Sequence, residues 1–355
     1  MSDKNILWWG RFDPDYSRNR IIRQALMDLG WRLIDFHPRL AWLGDLEAEL
    51  RLKVKPDIVW VPCFRQRDVL SAARWARRRR IPLLFDPLIS AYDKQVFERG
   101  KLKEDSAAAR RLLSWERRRF AAADVLLADT GLHGEFFRDT LAVPEARIQV
   151  VPVGAEERLF HPERPTRQTS KPQSDVLFYG SFVPLQGPQS VIEAARLTQG
   201  EAIRWHLLGT GPLRRACETL AAGLDNVFFE DWIPYGDLPA RIHQADILLG
   251  VFGATAKANR VVPNKVYQAM ACGKPVITRS SAAYPLELAQ ATDSGISWVA
   301  ADDPGSLAAA VRVLAGDPSA IERQGASAYR SYRKHFSTEV IRNQTACALH
   351  MLTGT

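Results

Sequence analysis

The feature that most constrains the fold is an alternation of short apolar runs with amphipathic segments, which passes through the chain twice. The apolar runs are NILWWG, WRLIDF, PDIVWVPC, IPLLFD, DVLLAD and RIQVVPVG in the first half, and VLFYGSF, IRWHLLGTG, NVFFEDW, ADILLGVF, KPVIT and ISWVA in the second. Segments with helical periodicity, such as RNRIIRQALMDLG and PQSVIEAARL, separate most of them. Strands that alternate with helices form parallel sheets covered by helices on both faces. The pattern predicts an α/β fold.

A polar, proline-rich segment separates the two passes. HPERPTRQTSKPQSD, at 161–175, holds three prolines and no periodicity, which is typical of a linker. We therefore predict two doubly wound Rossmann-like domains facing across a cleft, at 1–165 and 175–330, joined by a linker at 166–174. The amphipathic tail predicts a helix at 331–355 that packs back towards the N-terminal domain.

The composition is that of a soluble globular chain. Of its 355 residues, 46% are hydrophobic and 25% charged, and no apolar run reaches the roughly 18 residues of a membrane span. The start, MSDKNILWWGRFDPD, lacks the pattern of a secretory signal, which predicts a cytoplasmic protein. The four cysteines lie far apart without a Cys-x-x-Cys pair, which argues against zinc and disulfides.

The net charge of +8 is concentrated in the first half, where residues 1–165 hold 30 Lys and Arg against 24 Asp and Glu. Two clusters stand out there, RWARRRR at 74–80 and ERRRF at 116–120. They are either solvated helix faces or a surface that attracts anionic lipid headgroups at the inner face of a membrane. The charge comes without a nucleic-acid-binding motif, so no nucleic-acid partner is predicted.

Glycines follow several of the predicted strands. Such glycines let a ligand approach the backbone and leave the amide end of the next helix open to an anion. The candidates are Gly10, Gly180, Gly187, Gly209 and Gly211. The sequence GTGPLR is no dinucleotide fingerprint, because that motif needs a glycine at the position of Arg214.

The segment GATAKANRVVPNKVYQAMACGKP predicts an anion site. Lys257, Arg260 and Lys265 lie in a loop and at the start of a helix, where three cations and the helix dipole could neutralise a pyrophosphate. We expect Pro263 in the first turn and Asn264 to help satisfy the free amides. The alternative is that the cations are solvated and the helix is simply amphipathic.

These stretches resemble a known family. The segments VLFYGSFVPLQGPQSVIEAARL, HLLGTGPLRRACETLA and PNKVYQAMACGKPVIT are similar to the nucleotide-sugar-binding domain of glycosyltransferase family 4, which has the GT-B architecture. WERRRFAAADVLLADT and IQVVPVGAEERLFHP match the family's N-terminal, acceptor-side domain more loosely. The resemblance implies a retaining transferase with a nucleotide-diphosphate-sugar as donor. Because cations and helix N-termini can stabilise the leaving diphosphate, no metal or other cofactor is expected.

The resemblance also places residues. The family's two glutamates, eight positions apart, fall on Arg260 and Gln268, and Gln268 can still hydrogen-bond a ribose. The family's phosphate-binding Arg and Lys after the first strand of this domain fall in GSFVPLQG, which offers Ser181 and Gln186. Lys257 and Lys265, with Arg260, would then supply the lost charge. The segment DWIPY offers Trp232, Ile233 and Pro234 to the nucleobase.

In the first domain, the loop after the first strand is expected to meet the donor and the acceptor. Arg11 would touch the phosphates, and Tyr16, Arg18 and Arg20 the acceptor. Asp86, at the carboxyl end of LLFD, is expected to face the reacting sugar, with Asp93 as a second candidate to orient or deprotonate the acceptor hydroxyl. The expected catalytic residues are thus Asp86, Arg260 and Lys265.

The sequence also gives expectations about metal binding and His133, and it leaves the acceptor and the reaction class open. Asp13 and Asp15 flank a proline in a turn and are not expected to bind metal, and His133 is expected at the surface. The acceptor is a lipid-linked glycan, a polysaccharide or a small molecule, with peripheral membrane contact as one route to it. The alternative functions are a nucleotide-sugar-binding protein without catalysis and a sugar-nucleotide epimerase or hydrolase on the same fold.

Overall fold

The computed structural model describes residues 4–163 and 173–353. It divides the chain into two compact units: unit 1 holds the chain up to Gly154 together with the chain from Thr338, and unit 2 is Ala155–Ser337. Each unit contains one six-stranded sheet whose strands are all parallel, so the predicted fold class of two doubly wound α/β domains is confirmed. Most of the predicted linker, at 166–172, lies outside the described residues.

The strands of unit 1 overlap the apolar runs of the first half. They are β1 (Asn5–Trp9), β2 (Arg32–Phe36), β3 (Ile58–Val61), β4 (Leu83–Phe85), β5 (Val125–Ala128) and β6 (Ile148–Val150), in the sheet order β2-β1-β3-β4-β5-β6. The helices are α1 (Ser17–Asp28), α2 (Gly44–Arg51), α3 (Val69–Arg79), α4 (Ala91–Asp93), α5 (Ala107–Phe120) and α6 (Gly131–Asp139). Helices cover both faces of this sheet, so the central strands are apolar throughout rather than alternating.

The core of unit 1 is rich in tryptophan. Trp8 of β1 stacks on Trp60 of β3 with ring centroids 5.3 Å apart, and on the other face Trp9 lies against Trp75 of α3. All four side chains are fully buried. Large aromatic rings on both faces of two adjacent strands fix the register of the sheet, because a slip of one residue would exchange the faces.

Unit 2 repeats the architecture. Its strands are β7 (Ser174–Tyr179), β8 (Ile203–Leu208), β9 (Val227–Glu230), β10 (Ile247–Leu249), β11 (Val276–Arg279) and β12 (Ile296–Val299), in the order β12-β11-β10-β7-β8-β9. Its helices are α7 (Pro188–Leu197), α8 (Arg214–Leu220), α9 (Leu238–Gln244), α10 (Asn264–Ala271), α11 (Leu286–Gln290), α12 (Pro304–Ala315) and α13 (Pro318–His335).

The end of the chain differs from the single predicted helix at 331–355. Helix α13 ends at His335, Phe336 leaves the helical conformation, and α14 (Thr338–Thr353) follows as a separate helix. The Phe336 ring is buried against Tyr267, with centroids 4.8 Å apart, which explains why the helix ends there. Helix α14 packs on α1 and is part of unit 1. Among the residues that the structure describes, no helix is long and apolar enough to span a bilayer.

Candidate functional site

The strand order of unit 2 defines a switch point. After β7, the chain forms β8 and β9 on one side of that strand. It then forms β10 on the other side of β7. At such a point the loops that follow two adjacent strands diverge, and open α/β sheets bind ligands in the resulting crevice. The loops concerned are 180–187 after β7 and 250–263 after β10.

These two loops pack backbone against backbone. The Phe252 N–H donates to the Gln186 carbonyl oxygen at 3.2 Å. A Cβ on Gly187 would lie 2.6 Å from the Gly253 nitrogen, and Gly187 has a φ of +62°, so both space and conformation require glycine there. The close approach holds the loops at the switch point in a fixed relation.

Helix α10 begins at this switch point without a side-chain cap. Pro263 takes the N-cap position in extended conformation, and Asn264, the first helical residue, makes no capping hydrogen bond. Both differ from the prediction that Pro263 lies in the first turn and that Asn264 satisfies the amides. The Pro263 side chain has no hydrogen-bond acceptor that could cap the helix. The N–H groups at the start of α10 therefore keep their partial positive charge.

Lys265 lies in the first turn of α10 and is buried, with 5% of its surface exposed. Its Nζ donates to Gln186 Oε1 at 2.5 Å and lies 3.8 Å from the centroid of the Phe178 ring. Burial holds the pKa of Lys265 well below its ordinary value. Among the described residues, no carboxylate forms an ion pair with it. The site therefore contains a buried amine that lacks an anionic partner.

Gln268, one turn further along α10, is buried too. Its Oε1 lies 2.9 Å from the Tyr179 hydroxyl, which is also 3.2 Å from the Lys265 carbonyl oxygen. Tyr179 ends β7, so this hydrogen bond ties the helix to the strand across the switch point. The carboxamide of Gln268 is thereby held in one orientation.

The other two predicted cations lie in the loop before α10. Lys257 is 4% exposed in the 3-10 turn Ala256–Asn259, and Arg260, which ends that turn, is half-buried. The Thr255 hydroxyl caps the turn by accepting from the Ala258 N–H at 3.2 Å. The alternative of freely solvated cations therefore does not describe Lys257 or Lys265.

The remaining predicted residues of unit 2 lie in loops. Gly180 and Ser181 follow β7, with Ser181 exposed, and Gly209 follows β8. Trp232 is 53% exposed and Ile233 half-buried, in the loop after β9. Trp232 is thus no core residue, and its ring is open to contact.

In unit 1, the loop after β1 lies where the sequence placed it. The Gly10 N–H continues the strand pairing by donating to the Phe36 carbonyl oxygen at 2.9 Å, and Arg11 is exposed. Tyr16 meets Phe64 edge to face, with ring centroids 4.9 Å apart.

Two other predicted residues of unit 1 are not at the surface. Arg18 is fully buried, its Nε donates to Asp86 Oδ2 at 2.9 Å, and its Nη1 donates to the carbonyl oxygens of Val151 and Pro152. Burial raises the pKa of Asp86, and Arg18 opposes that rise. The predictions that Asp86 faces a reacting sugar and that Arg18 meets an acceptor are therefore corrected: the two side chains neutralise each other inside unit 1.

His133 was predicted at the surface and is fully buried. Its Nδ1 hydrogen-bonds Asp129 Oδ1, and its Nε2 lies 3.7 Å from Asp93 Oδ2. Burial alone would lower the pKa of His133, but the two carboxylates raise it to about 9. The sequence does contain a signal for this pair, because Asp129 and His133 are four residues apart across a threonine N-cap, Thr130. No group of three or more potential metal ligands occurs in the described ranges.

Two family models match the chain. The model for glycosyl transferases group 1 matches residues 173–317, and that for a glycosyl transferase 4-like domain matches residues 14–154. A protein named for colanic acid biosynthesis and glycosyl transfer, WcaL of Escherichia coli (strain K12), is 30% identical over 162 residues, which is 44% of this chain. The match spans only 39% of that relative's own length.

Solved structures show the same fold. HepE of Anabaena in complex with UDP has a TM-score of 0.71 at 14% identity, covering 98% of this chain and 100% of that one. The same protein with UDP-glucose gives 0.70 with equal identity and coverage. WaaG, a glycosyltransferase involved in lipopolysaccharide biosynthesis, gives 0.67 at 16% identity over 99% of this chain and 100% of its own. The second half of the chain therefore matches the glycosyl transferases group 1 and the first half a glycosyl transferase 4-like domain, and the two units have the fold of GT-B glycosyltransferases.

Proposed function

We propose that the protein transfers a sugar from a nucleotide-diphosphate-sugar to an acceptor hydroxyl. The observation that supports this most strongly is Lys265, a buried amine with no carboxylate partner among the described residues, at the uncapped start of a helix and at the switch point of its sheet. A diphosphate suits such a site, because it brings negative charge and several oxygen acceptors together. The complexes of HepE with UDP and UDP-glucose agree with a donor of this class.

The arrangement can lower the barrier to sugar transfer. As the glycosidic bond breaks, negative charge grows on the departing diphosphate, and preorganised cations that meet this charge stabilise the transition state. Lys265 and the amide end of α10 provide that stabilisation, with Lys257 and Arg260 adding charge from the preceding loop. Gln268 holds the ribose, and Trp232 with Ile233 supports the nucleobase.

The proposal includes retention of the anomeric configuration and transfer without a metal or other cofactor. Retention rests on the family resemblance. Metal independence rests on charge: Lys257, Arg260 and Lys265 supply positive charge that a divalent cation would otherwise bring to the diphosphate. Asp86 takes a positioning role, because it acts through Arg18 on the backbone at Val151 and Pro152. We place the activity in the cytoplasm.

A second candidate function is nucleotide-sugar binding without transfer. The observation that favours it is the loss of both family glutamates, which are replaced here by Arg260 and Gln268. In addition, the Gln268 side chain already accepts a hydrogen bond from the Tyr179 hydroxyl. Tight donor binding combined with no consumption of donor, in the presence of bacterial glycolipid and polysaccharide extracts, would support this candidate. Consumption without any acceptor would instead support an epimerase or hydrolase.

The donor site is tested by binding. Calorimetric titration with UDP, GDP and ADP identifies the nucleotide, and Lys265→Met should weaken the best of them at least 100-fold, which corresponds to about 2.7 kcal/mol. Lys334→Met removes an exposed lysine of α13 in the same unit and should leave the affinity unchanged. Equal affinities of Lys265→Met and the wild type would overturn the proposal.

A further inference from the structure

Unit 1 contains a cavity of about 680 Å³ that none of the roles above uses. It is formed by the loop after β3, the start of α4 and one face of α5, and its lining residues are Phe64, Arg65, Gln66, Arg67, Ala91, Arg111, Leu112 and Trp115. Pockets that hold small molecules measure about 300–1,000 Å³. The cavity is therefore large enough for a sugar with a charged substituent.

Two of the arginines that line the cavity have guanidinium groups that can bind an anion. Arg67 and Arg111 are exposed, and within the described ranges neither forms an ion pair or a side-chain hydrogen bond. Arg65, in contrast, is held by Asp68, with 2.5 Å between Nη2 and Oδ2. Burial lowers the pKa of Arg119 to about 10, and the neighbouring cations Arg118 and Arg67 contribute to that decrease. An oxyanion would relieve this crowding of positive charge.

None of the described residues that line the cavity is acidic, and most acids of the surrounding segment are buried. Residues 64–119 hold 16 Lys and Arg against 7 Asp and Glu. Four of the seven acids, Asp68, Asp86, Asp93 and Glu116, are buried. Glu116 is the buried acid next to Trp115, and its carboxylate accepts hydrogen bonds from the Ser90 hydroxyl and the N–H groups of Ala91 and Tyr92. The accessible charge of residues 64–119 is thus mostly positive, and the three charged residues that line the cavity are arginines.

Aromatic rings line the same cavity. The Trp115 ring is covered by the Arg119 guanidinium, whose carbon lies 3.6 Å from the ring centroid, so the orientation of the indole is fixed. Phe64 has a φ of +64°, a costly conformation for a bulky side chain, and its ring stays 42% exposed. Flat rings beside arginines suit a sugar ring that bears an anionic group.

The cavity also has a defined position in the sheet. Sheet order β2-β1-β3 makes the boundary between β1 and β3 the switch point of unit 1. Gly10 follows β1 and Arg65 follows β3, and a Cβ on Gly10 would lie 3.1 Å from Arg65 Cγ. The cavity therefore lies at the loop that follows β3, beside the switch point, and ligands of such sheets usually bind near that point.

We propose that this cavity binds a sugar ring carrying a phosphate or a carboxylate, and that this anionic sugar is part of the acceptor. The binding itself stands on the cavity; its assignment to the acceptor rests on the proposed glycosyl transfer. Arg67 and Arg111 bind the oxyanion, and Trp115 and Phe64 pack on the ring. Phosphate and carboxylate share the planar or bidentate recognition that arginine provides, so experiment has to separate them.

Calorimetry on the full chain with glucose 1-phosphate, glucuronate and glucose tests the binding. We expect one or both anions to bind and glucose not to bind, and the tighter anion identifies the source of the charge. Arg67→Gln combined with Arg111→Gln should weaken anion binding at least 30-fold. Arg118→Gln, on the same helix but outside the cavity lining, should bind as the wild type does. Thermal melts of each variant confirm folding.

The outcomes separate this inference from the proposed function. UDP binding is measured on the same samples, and the double arginine variant should retain it. If the wild type binds UDP but neither anion, or binds glucose equally well, the cavity proposal is overturned and the proposed function stands. If an anion binds in an arginine-dependent way but no nucleoside diphosphate binds, the cavity site stands and its role as acceptor site falls with the proposed function.

Discussion

The two units have the same sheet architecture but treat buried charge in opposite ways. In unit 1, the buried Arg18 is paired with Asp86, and the buried His133 lies between Asp129 and Asp93. In unit 2, the buried Lys265 has the amide oxygen of Gln186 as its acceptor, and no carboxylate in the described part of the chain pairs with it. Unit 1 thus neutralises its interior with its own side chains, whereas unit 2, over its described residues, gives the buried amine of Lys265 only a neutral partner.

This difference has an energetic meaning. A buried ion pair costs stability chiefly when one partner is lost, whereas a buried amine without a counter-charge costs stability in the free protein. Removing Lys265 should therefore harm ligand binding and not folding, while removing Asp86 should harm folding first. Stability given up at a binding site is common, because a preorganised site cannot relax around its own charge.

The largest effect is expected for Asp86→Ala. It leaves the Arg18 guanidinium buried and unpaired, which should destabilise unit 1 by about 3–5 kcal/mol. Hydrogen exchange of the β4 amides in urea measures the loss within this unit. The double variant Arg18→Met with Asp86→Leu removes both charges and should lose less. A single variant that is no less stable than the double one would contradict the comparison.

The next effect concerns pH. The pKa of His133 is raised from its ordinary value to about 9, so its stabilising contribution is complete below about pH 6.5 and lost as pH rises through about 9. His133→Gln should therefore cost about 3 kcal/mol near pH 6 and much less at pH 10. Urea unfolding across this range measures it, with the exposed His161→Gln as control. A pH-independent difference would mean that His133 is buried in its neutral form.

Gln186→Glu would give the buried amine of unit 2 a carboxylate partner, as the buried Arg18 and His133 have in unit 1. The new carboxylate would lie beside Lys265, raise the pKa of that amine and stabilise the free protein. It would also repel a diphosphate, so the affinity for the nucleoside diphosphate should fall about tenfold or more, or about 1.4 kcal/mol. Calorimetry and thermal melts record both effects. Gln199→Glu, an exposed change in the same unit, should alter neither, and unchanged affinity in Gln186→Glu would refute the charge argument.

The smallest effect is expected for Trp232→Ala. The ring is 53% exposed, so stability should change by less than about 0.5 kcal/mol. Loss of a ring that supports the nucleobase should weaken UDP about threefold to tenfold, within the range of aromatic stacking. The affinity of Trp232→Ala for UDP is compared with that of Trp42→Ala, which removes an exposed tryptophan of unit 1. The difference between the two affinities measures the contribution of the Trp232 ring. Identical affinities would remove Trp232 from the site.

Much of the fold and part of the site could be predicted from local pattern. The alternation of apolar runs with helical segments gave the strands and most of the helices, because burial on both faces of a parallel sheet selects continuous apolar runs. Lys265 could be proposed as a site residue from the sequence, because a lysine next to a Pro-Asn helix start is local information. The break at Phe336 was not, since it depends on the Tyr267 ring, which is distant in sequence.

The sequence by itself determined two doubly wound sheets, a cationic helix start in the second and glycine loops at the strand ends, because each follows from neighbouring residues. Only the tertiary structure decided which charges are buried and with whom. Arg18 and Asp86 are 68 positions apart, and Lys265 and Gln186 are 79 apart. Burial and pairing change the energy of a charge more than its identity does, and both are set by elements that meet only after the sheet has formed.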